Sequence, residues 1–214
     1  PPVPKGRRVY LVDLPGSVQT QILCGCHAIT RQNPDWIKLG LTNSLYGGAF
    51  NSRLVMNIRE DKGYTYSPRS GVNPLRQYGY FSVSAAVRND VVAASLTEIF
   101  YELDKLRSVP VPEPELLDAQ NYLTGVFSMG LATQSGLLSQ ISTLALNDLP
   151  DDYLETYREK VRALKPEDVM SAARTYCDSA NMQIVVVGDR QHIESQAALF
   201  GELGIYDARG NRVS

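Results

Sequence analysis

The chain has little of what usually announces a function. Its 214 residues include three cysteines, two histidines and one tryptophan. An odd, low number of cysteines (Cys24, Cys26 and Cys177) cannot make a disulfide framework. It fits a fold that does not depend on oxidation, in either a periplasmic or a cytoplasmic setting. No stretch approaches the roughly 20 apolar residues of a membrane-spanning helix, which argues against a membrane partner. Neither sign of charge dominates, with 21 Lys and Arg against 23 Asp and Glu. That balance argues against nucleic-acid binding, which needs a basic face. The opening PPVPKGRR is polar and proline-rich, unlike a signal peptide. A chain that begins without Met reads as a processed product or an excised piece.

What is present is an ordinary globular balance, with 43% hydrophobic and 21% charged residues. A chain of this length can bury a full core without metal or disulfide staples. Residues 1–8 read as a linker end and 9–214 as a single domain without an internal boundary. Residues 9–13 form a short strand, and residues 18–28 alternate so that Ile22, Cys24, Cys26 and Ala28 share one face. Asn33-Pro34 starts a helix running to about Tyr46, which Gly47-Gly48 ends. A short helix with Leu54, Val55 and Ile58 stops at Lys62-Gly63. Residues 64–72 and 78–87 then read as a hairpin with a long loop. Helices follow, the last opening at Pro166, and MQIVVV (182–187) is a buried closing strand. This order points to an α+β fold, a mainly antiparallel or mixed sheet with helices packed on one face. The late strand must rejoin the sheet and so tie the two ends of the chain together.

Few residues carry recognisable chemistry. His27 and His192 are far apart, and neither has a second His at i+4, so no two-histidine zinc helix exists. Gln196 stands where a second ligand to His192 would be, which leaves His192 a surface residue near a helix start. Cys24-Gly25-Cys26-His27 could offer soft metal ligands or a cysteine nucleophile. Its thiols, however, fall on the apolar face of a strand, with His27 on the other face, so core packing is the simpler account. Gly47-Gly48 lacks the residues of a phosphate loop and suffices as a helix end. Arg59 and Tyr66 flank a glycine break, and a guanidinium with a phenol can together donate to a carbonyl or an oxyanion. An Arg59 ion pair with Glu60 or Asp61 is the plainer local alternative.

The stretch LTNSLYGGAFNSRLVMNIREDKGYTYSPRSGV resembles the M16 metallopeptidase family of pitrilysin, insulysin and the mitochondrial processing peptidases. The likeness extends through VYLVDLPGSVQTQI, NDVVAASLTEIFYELDKLRS, LPDDYLETYREKVRALKPEDV and MQIVVVGDR in the family's order. It is strongest to the C-terminal half of bacterial-type, two-half members.

The resemblance implies an α/β half of processing-peptidase type that has lost the zinc ligands. Trp36 to Tyr46 occupies the place of the family's H-x-x-E-H helix and contains neither His nor Glu. No metal would be held by this chain. Zinc would reside in an H-x-x-E-H-bearing partner half or subunit, and the two would close like a clamshell around a peptide. The inactive half would contribute Arg59 and Tyr66, whose spacing matches the family's pair, while Gly47 and Gly48 would line the substrate cavity. Isolated halves could pair as homodimers through the exposed partner face. The alternative within the same family is a non-catalytic scaffold or binding subunit. A cysteine hydrolase using Cys24 or Cys177 is a third, weaker reading.

Overall fold

A computed structural model describes residues 4–213. Its centre is a six-stranded mixed sheet in the order β3-β4-β2-β5-β1-β6. The strands are β1 (Arg8–Asp13), β2 (Gln19–Ala28), β3 (Arg69–Pro74), β4 (Gly79–Arg88), β5 (Gln183–Gly188) and β6 (Glu202–Tyr206). β5 lies parallel to β1 and antiparallel to β2, so the late MQIVVV segment is inserted between the two first strands. Its run of β-branched residues suits that interior place, because both edges are paired.

Alternation sets the two faces of the sheet. Ile22, Cys24, Phe81, Val83, Ala85, Ile184 and Val186 point into the core. Gln21, Leu23, Tyr80 and Arg88 stand on the exposed face. The helices cover the first face: α2 (Val92–Ser108) rests on β4, α6 (Pro166–Tyr176) on β2, and α7 (Arg190–Ala197) on β1. Within α2, Leu96, Ile99, Leu103 and Leu106 are fully buried at the spacing of one helix face. α1 (Trp36–Asn43), α3 (Glu113–Leu131), α4 (Gln134–Leu146) and α5 (Tyr153–Arg162) complete the helical side.

Several local expectations are corrected. The strand expected over residues 64–72 begins only at Arg69. Pro68 has no N–H for the ladder and restricts the residue before it, so 64–67 run as irregular chain with one isolated bridge, Thr65 to Val87. Tyr66 therefore precedes β3. The first helix starts at Trp36, after a turn in which the Asn33 side chain accepts from the Asp35 N–H, 2.9 Å. It then widens at Ser44–Gly48 into a π turn. α4 is capped by Thr133, with Thr133 Oγ1 accepting from Gly136 N–H at 3.1 Å. The helix start expected near His192 is α7, and β6 has no counterpart among the expectations. α7 is capped by Asp189, whose carboxylate accepts from the Gln191 N–H. β6 is a short, glycine-containing edge strand that pairs parallel with β1. At the amino end, Gly6 and Arg7 engage the segment before β5: the Asn181 side chain accepts from the Gly6 N–H, and Arg7 donates to the Ser179 carbonyl. The expected linker end extends into residues 1–3, which lie outside the described residues.

Candidate functional site

The Gly-Gly-x-x-x-Ser-Arg-Leu segment connects α1 to a second π-helical piece, Val55–Asp61. Each residue of its Ser-Arg-Leu part has a fixed place. Leu54 is fully buried, and Ser52 is nearly so. Arg53 grips Glu115 at the start of α3 with two bonds, Nε to Oε1 at 2.6 Å and Nη2 to Oε2 at 2.8 Å. That bidentate pair sits largely out of solvent and is directional in a way a lysine could not reproduce. One turn on, the Asn57 amide donates to both Glu98 and Glu102 of α2. Lys62 pairs with Glu98 at 3.3 Å. The π-helical piece is thus pinned to α2 and α3, and Arg59 projects from a rigid support.

Arg59 and Tyr66 come together. The guanidinium carbon of Arg59 lies 4.7 Å from the centroid of the Tyr66 ring and 4.8 Å from that of Phe50. Gly63, with φ of +61°, supplies the left-handed turn that brings the chain back beneath Arg59. Tyr66 is 81% exposed and Phe50 68% exposed. Two large aromatic rings left in solvent and held by one cation are an unusual surface feature. The plainer alternative is also realised in part, because Arg59 Nε contacts Glu60 Oε1 at 3.1 Å. The pair is a stacked one: the cation lies over the ring. The Tyr66 hydroxyl has no hydrogen bond among the described residues.

Phe50 was not singled out in the sequence, where its only signal is an aromatic in the otherwise small or polar Ala49-Phe50-Asn51 loop. Gly47 and Gly48, on the same loop, are explained by close approach. A Cβ on Gly47 would come within 2.7 Å of Ser70 Oγ and 3.1 Å of Leu54 Cδ2. One on Gly48 would collide with the Asn43 side chain. Gly47 is buried, whereas Gly48 is at the surface.

The thiols and histidines do not form a site. Burial pushes the Cys24 thiol up to about 12 and the Cys26 thiol up to about 11, so both stay protonated near neutral pH. Cys177, also buried, is raised further. Cys26 Sγ lies 3.4 Å from the Tyr176 carbonyl oxygen. His27 leans on Tyr78 with ring centroids 5.9 Å apart, and His192 is exposed on α7. Among the described residues no group of three or more His, Cys, Asp or Glu could hold a metal ion. No helix among them is long and apolar enough to cross a membrane.

The profile of the family described as "Peptidase M16 inactive domain" matches residues 1–123, a span that includes Phe50, Arg59 and Tyr66. The chain belongs to the M16 peptidase family, as an inactive domain. Its relatives agree. An uncharacterized zinc protease of Streptomyces coelicolor is 26% identical over 73% of this chain and 34% of its own length. One of Mycobacterium tuberculosis is 26% identical over 64% of this chain and 31% of its own. This M16 domain therefore spans about a third of the length of the curated relatives it matches. A solved peptidase M16 inactive domain from Pseudomonas fluorescens superposes with a TM-score of 0.82 at 27% identity, over 88% of this chain and 45% of that one. A protease from Helicobacter pylori shares the fold, with a TM-score of 0.80 at 19% identity over 87% of this chain and 45% of that one.

The zinc that goes with these relatives does not fit this domain's own residues. α1 with the following π turn carries no His, Cys, Asp or Glu, and burial holds the thiols of Cys24 and Cys26 protonated.

Proposed function

We propose that this domain is the half of an M16 zinc endopeptidase that lacks the metal ligands and completes the active site of an H-x-x-E-H-bearing half or subunit. The partner supplies zinc, which activates water for attack on a peptide bond, and a glutamate base. The two halves close over the peptide in a clamshell. Arg59 anchors a substrate carbonyl, and the Tyr66 hydroxyl donates to the oxygen that becomes negative as water adds. Gly47 and Gly48 keep the neighbouring loop low enough for a peptide backbone to approach.

The observation that carries this reading is the Arg59–Tyr66 contact at 4.7 Å on a matched family segment. A solvent-exposed phenol with an unused donor, ordered by a cation, suits a group awaiting a facing surface. A scaffold would have no need of it. The face that meets the partner would be apolar, and α4 offers one: it has no charged residue and no buried one, and it exposes Leu137, Leu138 and Ile141. A patch of that kind, left uncovered, would pair isolated copies as homodimers.

The test is Tyr66→Phe in the enzyme assembled with its metal-bearing half, with folding checked by circular dichroism. Peptide turnover should fall on the order of 10²–10³-fold with the fold intact, the usual cost of an oxyanion donor. Unchanged turnover would remove Tyr66 from the chemistry and favour the scaffold reading.

A further inference from the structure

A second cationic feature shares no residue with the Phe50–Arg59–Tyr66 cluster. The segment after β2, the β3–β4 turn and the α4–α5 loop line a cleft of about 560 Å³. Arg31 and Arg76 are among the residues that line it. Arg31 lies over the Trp36 ring at 4.7 Å and over the Tyr153 ring at 5.1 Å. Neither Arg31 nor Arg76 forms an ion pair among the described residues.

That arrangement is costly as it stands. Burial is the main influence on Arg31 and lowers its pKa, against the opposing pull of Tyr153 and Tyr157 beside it. The Tyr153 hydroxyl beside it is buried without a well-formed hydrogen bond. Aromatic rings hold the guanidinium in one place, and the Tyr153 hydroxyl is the one acceptor beside its N–H edge among the described residues.

The composition of the wall says which acceptor. Two guanidinium groups and the one carboxylate of Asp148 leave a single positive charge in the cleft. Thr30, Gln32 and Asn147 add neutral polar groups. Leu75 and Leu146, both exposed large hydrophobics, line the same space. A planar monoanion matches both the charge and the forked geometry of arginine, whereas a dianion would leave charge uncompensated. The leucines give an apolar group attached to that anion somewhere to rest.

The geometry points to a binding site for a free carboxylate carried next to an apolar side chain, as at the C-terminus of a peptide ending in an apolar residue. Arg31 is the pre-oriented fork, Arg76 the second, exposed clamp, and Leu75 with Leu146 the apolar shelf. This site stands on its own residues and does not depend on the peptidase reading.

Trp36 is the only tryptophan in the chain, and the Arg31 guanidinium lies over its ring, so its emission responds to a change at that group. The experiment titrates the full chain with N-acetyl-leucine, N-acetyl-leucinamide and inorganic phosphate while Trp36 fluorescence is read. N-acetyl-leucine should give a saturable change that the amide does not. Arg76→Gln, at an exposed position that leaves folding unaffected, should weaken the affinity at least about tenfold, as loss of a charge-assisted clamp does. Arg31→Lys should weaken it as well, since lysine cannot fork. An equal response to acid and amide, an equal response to phosphate, or an Arg76→Gln variant with unchanged affinity would each overturn the proposal.

Discussion

The Arg59 guanidinium carbon stands 4.7 Å from the centre of the Tyr66 ring across a glycine turn, and the Tyr66 hydroxyl has no hydrogen bond among the described residues. The stack separates two properties that mutation can address one at a time. Tyr66→Phe keeps the ring under the cation and removes only the donor. Tyr66→Leu removes both. In the assembled enzyme, Phe should lower kcat with little effect on KM, whereas Leu should lower kcat and raise KM, because Arg59 loses its rest and the carbonyl its anchor. Steady-state kinetics of the two variants separates these roles.

Phe50 supports Arg59 from a second side, at 4.8 Å. Phe50→Ala should leave the melting temperature within a degree or two, since the side chain is mostly in solvent, yet reduce turnover several-fold by freeing Arg59. Phe50→Tyr should restore it. A Phe50→Ala enzyme with full turnover would make the second ring incidental.

Gly47 is a packing requirement before it is anything else. A methyl group there would press on Ser70 Oγ of β3 and on Leu54. Gly47→Ala should therefore destabilise the isolated domain by about 1–3 kcal/mol, the usual cost of overpacking. Urea unfolding of the two proteins measures it.

One ion-dipole pair gives a pH signature. The Tyr176 hydroxyl donates to Asp35 at 2.7 Å, and Lys38 lies 3.0 Å from the same carboxylate. The hydrogen bond from Tyr176 first, then that from Lys38, holds the Asp35 carboxyl below its ordinary range. Tyr176 is itself pushed up to about 12, by burial and then by Asp35, so it stays a donor. A carboxylate depressed in the fold adds stability above its unfolded value of about 3.9, and that stability is lost as pH falls through the lower, folded value. Tyr176→Phe should be less stable than the parent at pH 7, and the gap should close toward pH 3. Urea midpoints across that range should show it, and a constant gap would contradict it.

The cysteines should be inert in the folded chain. With thiols raised to about 11 for Cys26 and about 12 for Cys24, iodoacetamide at pH 7.5 should leave the native mass unchanged over an hour and label all three in urea. Rapid native labelling of Cys26 would reopen a thiol-based role.

Much of this architecture is legible in the residues, where local pattern and tertiary demand coincide. β2, β4 and α2 have unbroken periodicities of two or 3.6, and each lies where its pattern requires. That β5 rejoins the sheet follows from its β-branched run, with Ile184 and Val186 facing the core, while its place between β1 and β2 is set by pairing with both. β6 escaped because five residues with a central glycine carry almost no local signal. Its pairing with β1, nearly two hundred residues away, supplies what the segment lacks. Pro68 holds the start of β3 back to Arg69, although the alternation begins before it. At the site, Arg59, Tyr66 and the glycine pair could be named from the family segment, but their stacking could not. It depends on the left-handed Gly63 and on the grip of Arg53 and Asn57 upon α3 and α2, which are contacts between distant parts of the chain. Phe50 had no pattern to mark it.

The account stands most directly on what this domain does alone and with a partner. Zinc content and peptide turnover should be measured on the purified chain, and turnover again after an equimolar H-x-x-E-H-bearing M16 half is added. The account predicts no bound zinc and no cleavage by the chain alone, and cleavage by the mixture that exceeds that of the metal-bearing half and disappears with Tyr66→Phe. Stoichiometric zinc with cleavage by the chain alone, or a mixture no more active than the metal-bearing half, would contradict it.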